Sequence, residues 1–346
     1  MPTCSLLLQP SFNRVYTKQA PAVVTAELEL LDRLALDGAL GPARVVERGG
    51  APFVEVDPAA GPDDLATTVL RNLSAAYLLF TLTDDGDLRP LDVAPLARYD
   101  DDLLTTMRYS GKTNEQLTHL LVNLALGATA EGWARMARGD ALTLLDPLAG
   151  RGTTLNQGLQ YGLDVVGIEA DEGDAEAYHQ FVIRWLKDKR AKHASKAWRY
   201  KRPGAGTAHR ATTTITRTPD GEPVRQIVDV IHDDTTNARE HLKRSSVDLI
   251  ATDLPYGVQH GARSSVAGTS RSPEALLAEA LPVWREVLRG GGGLALAWNR
   301  RNLPRAELVA LLDEHRFEVV EPDGDGFEHR VDRTITRDVL VARKPG

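Results

Sequence analysis

Residues 141–169 constrain the fold more than any other stretch of the chain. A short apolar run, Ala141 to Leu145, ends in Asp146. A glycine-rich turn follows, Pro147-Leu148-Ala149-Gly150-Arg151-Gly152. Thr154 to Tyr161 reads as helix, and a second apolar run, Asp164 to Ile168, closes in Glu169. Strand, glycine loop, helix, strand and acid, in that order, make half of a nucleotide-binding α/β unit. Glycines suit the loop because backbone passes close to a ligand where a Cβ would clash. An acid at the end of the second strand is placed to hold two ribose hydroxyls. The bland alternative, a loop serving only as a tight turn, does not account for both strands and the acid.

The alternation continues downstream. Gly173 to Lys187 reads as helix, Val224 to Ile231 and Val247 to Thr252 as strands, Pro273 to Leu288 as helix, and Gly293 to Trp298 as strand. Arg289 and the four glycines 290–293 are expected to end that helix. Alternating strands and helices imply an α/β fold with a Rossmann-like doubly wound, mostly parallel sheet across 101–346. Residues 1–100 mix strands (5–9, two between 43 and 56, 77–82) with helices (21–36, 63–76). They form a smaller N-terminal α+β region, read as a binding or capping module. At 346 residues the chain has room for both. Nothing approaches the ~20 apolar residues that span a bilayer. The first residues lack a signal peptide's basic start and apolar core. The single cysteine, Cys4, excludes an intrachain disulfide and a zinc site built on several thiolates. No metal ligand set is assigned, and the cytoplasm is the expected location.

Acids recur at strand ends. The third strand runs into His232-Asp233-Asp234, where either aspartate can accept from an adenine amine or cap the helix that follows. The fourth runs into Asp253-Leu254-Pro255-Tyr256-Gly257. A base amine is a poor nucleophile because its lone pair is delocalised into the ring. Acceptors on both N–H bonds favour a pyramidal nitrogen and free that pair. Asp253 can accept one hydrogen bond and the Leu254 carbonyl the other. Pro255 stiffens the loop, and Tyr256 can stack on the base. Alone, such a segment is as readily a strand-ending turn with a buried tyrosine. After a glycine loop and two acidic strand ends it reads as a substrate grip. Residues 258–272, polar and rich in Gly and Ser, read as a mobile loop.

Charge is unevenly spread. Between Arg184 and Arg202 stand nine Lys or Arg against one acid, Asp188, in a chain of net charge −7. Trp198 and Tyr200 lie among them. Bases neutralise phosphates and aromatics stack on nucleobases, so Lys189, Arg190, Lys192, Trp198, Arg199, Tyr200, Lys201 and Arg202 read as a nucleic-acid contact. A solvated basic helix face is the competing reading. Arg108, Tyr109 and Lys112 gather just before a helix whose start is expected at Thr113, paired with Gln116 in a capping box. They read equally as a polar surface loop or as a segment closing over a ligand, with Arg108 and Lys112 as further nucleic-acid contacts.

The segments DPLAGRGTT, GIEAD and TDLPYG resemble the cofactor and catalytic motifs of class I S-adenosylmethionine-dependent methyltransferases that modify exocyclic base amines. With RYSGKTNEQLTHLLVNLAL ahead of the glycine loop, the set most resembles the tRNA guanine-N2 methyltransferases, a group usually preceded by a THUMP domain. The resemblance covers about 105–300, with Leu254 where the amino-methyltransferases usually place a first proline. It implies S-adenosyl-L-methionine as cofactor. Asp146, Gly150 and Gly152, with Pro147, Ala149, Thr153 and Thr154, would line its methionine end. Glu169 would hold its ribose, Asp233 or Asp234 would face adenine, and Asp253, Leu254, Pro255 and Tyr256 would grip the base. The base would have to be flipped or taken from a loop. The implied partner is RNA, tRNA in particular, with a DNA adenine-N6 or cytosine-N4 methyltransferase as the alternative. A dehydrogenase on the same half-unit would need a third glycine where Leu155 stands.

Overall fold

A computed structural model describes every residue except 1–2, 12–13, 60, 62, 110–111, 202–206, 220–221, 256–271, 323–325 and 332–333. Two sheets organise it. The smaller is antiparallel throughout: β2 (Arg44–Arg48), β3 (Ala51–Val56), β1 (Thr3–Leu8), β4 (Ala76–Leu82) and β5 (Leu88–Pro90), in that spatial order. The larger contains β6 (Thr143–Asp146), β7 (Asp164–Glu169), β8 (Lys192–Lys201), β9 (Thr207–Arg217), β10 (Val224–His232), β11 (Val247–Asp253), β12 (Leu288–Asn299), β13 (Glu318–Val320) and β15 (Thr336–Arg343) in the order 13-15-12-11-6-7-10-9-8. A two-residue strand, β14 (His329–Arg330), pairs with β15 off this path. Strands β12, β11, β6, β7 and β10 are mutually parallel. The outer strands β8, β9, β13 and β15 are antiparallel additions. The doubly wound, mostly parallel sheet expected from the alternating pattern is therefore present.

Ten helices pack on these sheets: α1 (Arg14–Ala35), α2 (Asp64–Arg71), α3 (Asp102–Thr105), α4 (Glu115–Ala128), α5 (Gly132–Ala137), α6 (Thr153–Gln160), α7 (Glu172–Asp188), α8 (Ala238–His241), α9 (Pro273–Val287) and α10 (Arg305–Glu314) among the described residues. The central strands are apolar because both faces are covered, as parallel sheets require. Successive residues go to opposite faces. Leu144, Leu249, Ala251, Ala295 and Val341 join one buried cluster, and Leu145, Ile250, Leu294, Leu296 and Leu340 join the other. Helices α4, α6 and α7 contribute to the first, and α9 and α10 to the second. Among the described residues no helix is long and apolar enough to cross a membrane.

The smaller sheet, with α1 and α2, shares the first apolar cluster of the larger unit. A buried polar node crosses this junction. Glu27 on α1 accepts from the Ser74 backbone N–H and hydroxyl and from Asn123 Nδ2 of α4. Asn123 in turn reaches the Asn72 carbonyl and accepts from the Tyr161 hydroxyl.

Two local expectations need correction. The four glycines at 290–293 do not end α9; they lie inside β12, which begins at Leu288. A Cβ on Gly293 would stand 2.1 Å from the Ala125 carbonyl oxygen, so glycine lets α4 settle against the strand. The basic stretch is not a helix face beyond Lys189: residues 192–201 are an edge strand paired with β9.

Burial pushes the Glu27 carboxyl up to about 7, against hydrogen bonds that favour its charged form. The folded chain then binds more protons at this group than the unfolded chain between about pH 4.5 and 7. Its contribution to stability is fully present below that window and disappears as pH rises through about 7. The total is about 3 kcal/mol. Denaturant unfolding at intervals from about pH 4.5 to 8 should show a declining limb that Glu27→Gln flattens. Equal slopes in both proteins would refute this.

Candidate active site

The strand order reverses between β6 and β11, with β7 and β10 leading away on one side and β12 on the other. A cleft opens at the carboxyl ends of such strands. Here it has a volume of about 440 Å³ and is lined by Tyr109, Thr113, Asp146, Leu148, Ala149, Gly150, Arg151, Thr153, Thr154, Asp174 and Asp253. That size suits a small organic ligand.

The floor is built from two strand ends. Asp146 is buried and accepts from the Leu148 N–H at 3.2 Å and the Thr252 hydroxyl at 2.7 Å. Burial raises its carboxyl to about 6. The bond to Thr252 links the ends of β6 and β11 and sets Asp253 beside the glycine loop. Gly150 and Gly152 both have positive φ, +49° and +76°. Gly152 caps α6, and a Cβ there would sit 2.2 Å from the Tyr178 ring. Gly150 lines the cleft, and no neighbouring atom lies within 4 Å of where its Cβ would stand. The loop is held from below by Ala149 N–H to Ile168 O at 2.9 Å and Gly150 N–H to Glu169 Oε2 at 2.7 Å. Glu169 also accepts from the Asp171 N–H at 2.8 Å. Burial raises its carboxyl, partly offset by these bonds.

The segment before α4 lies over the loop. The Tyr109 hydroxyl is 3.1 Å from Thr153 Oγ1, and the Arg151 guanidinium stacks 5.0 Å from the Tyr109 ring centre while pairing with Asp174 at 2.7 Å. Of this segment, Tyr109 and Thr113 line the cleft. The expected capping box is absent. Asn114 caps α4, accepting from Gln116 and Leu117 N–H. Thr113 instead donates to Asp253 Oδ2 at 3.0 Å, and Arg337 Nη2 lies 3.5 Å from the same oxygen. Both anchors come from outside the glycine loop and the Asp253 motif. A threonine three residues before a glutamine has the signature of a cap whether or not its hydroxyl is used elsewhere, as here. Arg337, on β15, carries no sequence signal at all.

Leu254 is buried, and its N–H donates to the Ala297 carbonyl at 2.8 Å. A proline at 254 could not make that backbone hydrogen bond. Pro255 is exposed, and Tyr256 lies outside the described residues, as does 258–271 of the loop read as mobile. Asp233 and Asp234 are engaged locally. Asp233 accepts from Asn237 Nδ2 at 3.0 Å and pairs with His241, and Asp234 caps the turn at Thr235–Asn237. Neither lines the cleft, nor do Pro147, Gly152 and Glu169.

The basic residues divide. Lys189 pairs with Asp100 and Asp102, and Lys112 donates to the Leu104 carbonyl and pairs with Glu115. Arg190, Lys192, Lys196, Arg199 and Lys201 are exposed on or beside β8. Trp198 is half-buried between Lys196 and Arg210, and the Tyr200 hydroxyl bonds to His241. Arg108 is exposed, and Arg202 lies outside the described residues.

Residues 112–320 match the family model described as RMKL-like, methyltransferase domain. No curated protein matches the chain by sequence. Among solved structures it is similar to TrmN from Thermus thermophilus, at 14% identity over 99% of this chain and 100% of that one, with a TM-score of 0.43. It is also similar to a candidate RNA methyltransferase of Pyrococcus horikoshii (16% identity, 72% and 91% covered, TM-score 0.38). A third is an rRNA methylase of Streptococcus thermophilus (14%, 66% and 96%, 0.37).

Gly152→Ala should cost about 1–3 kcal/mol, because it adds positive-φ strain to the contact with Tyr178. Urea unfolding of the two proteins measures this, and a difference below about 0.5 kcal/mol would show that the loop has no need of glycine there.

Proposed function

Because the chain belongs to the RMKL-like methyltransferase domain family, we propose that it methylates an exocyclic amine of an RNA base, guanine N2 in tRNA being the first candidate. The observation that carries this reading is the position of Asp253, anchored by Thr113 and facing the same cleft as Gly150. S-adenosyl-L-methionine, when bound, supplies an activated methyl group on a cationic sulfonium. The cleft's chemistry fits such a ligand: carboxylates of Asp146, Asp174 and Asp253 suit its positive groups, and Arg151 suits its carboxylate. Ala149, Gly150, Thr153 and Thr154 would hold the methionine end, and Glu169 would act through Gly150 as well as towards the ribose.

Asp253 accepts one N–H of the target amine and the Leu254 carbonyl accepts the other. Thr113 and Arg337 keep the carboxylate oriented. Tyr256 stacks on the base. No strong general base is needed, since the proton can leave after transfer; the residues act mainly by alignment. The exposed bases of β8 bind the phosphate backbone, and the N-terminal sheet is a docked module of residues 1–100 that steadies the segment before α4. The Ser11 and Gln9 contacts to Asn114 and Gln116 support that role.

Transfer of labelled methyl to tRNA and to DNA, followed by nucleoside digestion and mass spectrometry, tests the reading. Label is expected in N2-methylguanosine. Label in DNA N6-methyladenine or N4-methylcytosine would keep the chemistry and replace the partner. Asp253→Ala should lower the transfer rate about 10²–10³-fold, the range for removing one hydrogen-bonding group aimed at the reacting atoms. Full activity in that variant would remove Asp253 from the reaction. Replacing Lys192, Lys196 and Lys201 by Gln should weaken tRNA binding and reduce its salt slope by about 0.7–0.9 for each phosphate no longer neutralised. An unchanged slope would make β8 a solvated edge.

A further inference from the structure

A second concavity, of about 400 Å³, lies between α7, β8, β9 and β10, and its lining includes Glu172, His179, Trp198, His209 and His232. It is separate from the cleft over the glycine loop. Three of its side chains are brought together by strand register. His209 and His232 are direct partners across the β9–β10 ladder, and their rings meet edge to face with centres 5.3 Å apart. His232 is in turn the partner of Glu169 on β7, and Glu172 stands just beyond that strand, in the first turn of α7. One ligand-type atom from each of Glu172, His209 and His232 lies within 4.8 Å of the other two.

The hydrogen bonds assign the donors. His209 Nδ1 is 2.9 Å from Glu172 Oε1. His232 Nε2 is 3.1 Å from the Ala170 carbonyl, which can only accept, so Nε2 carries the proton in the neutral ring. Nδ1 is then a bare lone pair. It is buried and has no hydrogen-bond partner among the described residues. A histidine whose far nitrogen donates to a carbonyl while its near nitrogen stays unprotonated is oriented as metal-ligating histidines are.

We propose that Glu172, His209 and His232 form a binding site for a divalent transition metal of the zinc class. Two imidazoles and one carboxylate suit zinc and its neighbours rather than magnesium or calcium, which take oxygen donors. The same set leaves a position for water. A bound ion would tie the start of α7 to β9 and β10 and so fasten the hairpin that carries the basic residues to the sheet. Its competitor for Glu172 is the exposed Arg199 guanidinium, 3.4 Å from Oε1; Glu176 and His179 also face the concavity.

The test uses the full-length chain, free of any affinity tag and stripped with a chelator. Zn²⁺ is titrated in competition with a chromophoric chelator. One equivalent should bind, and His209→Ala and His232→Ala should each weaken it by more than about 100-fold, beyond the effect of removing a group that only supports a ligand. Glu172→Gln should weaken it in the same direction, whereas His179→Ala should leave it unchanged. In the wild-type chain, which needs no variant to fold, zinc should shift the imidazole nitrogen resonances of His209 and His232. Absence of binding, equal affinity in the histidine variants, or resonance shifts confined to other histidines would overturn the proposal.

Discussion

Parallel pairing of β6 with β11, through Leu249 with Leu144 and Ile250 with Leu145, is the joint on which the site depends. These strands are far apart in sequence, and their pairing places the glycine loop beside Asp253. The strand order reverses there, so the helices that follow the two strands leave on opposite faces and a gap opens between them. The hydroxyl of Thr252 on Asp146 closes the joint from beneath. Asp146, Gly150 and Asp253, which line the cleft, are arranged around this pair.

The joint is stiffened from two directions. Glu169 holds the loop by Gly150, so the acid at the end of the second strand has a structural duty. Thr113 and Arg337 hold Asp253 from segments distant in sequence on either side. Arg337 also bonds to the Tyr16 hydroxyl on α1, so the N-terminal unit reaches the carboxylate through one intermediary. The buried Glu27 node fixes the same two units to each other further back. Burying such a carboxylate is costly, and its hydrogen bonds to Ser74 and Asn123 recover only part of that cost.

Much of this was legible before the fold was known. Period and punctuation located β6, the glycine loop, α6 and β7, because local backbone demands select glycine and apolar runs directly. The motif could also be matched to a methyltransferase family, which the match over 112–320 bears out. The basic stretch was legible as charge but not as a strand. Its alternation of lysines with small and aromatic residues becomes a β pattern only once β9 offers an edge to pair with. The glycines of β12 misled because a run of glycines is the usual mark of a helix end, and only the approach of α4 shows why a strand needs them.

The sequence by itself determined the α/β class, the glycine loop and the acidic strand ends, since each answers to a local rule of backbone geometry or hydrophobic period. Tertiary structure alone decided which polar groups share a space. Thr113 serves Asp253 rather than a helix, Asp233 and Asp234 serve their own turn, and His209, His232 and Glu172 converge from three elements. Those outcomes depend on strand order and register, which bring together residues that no local pattern relates.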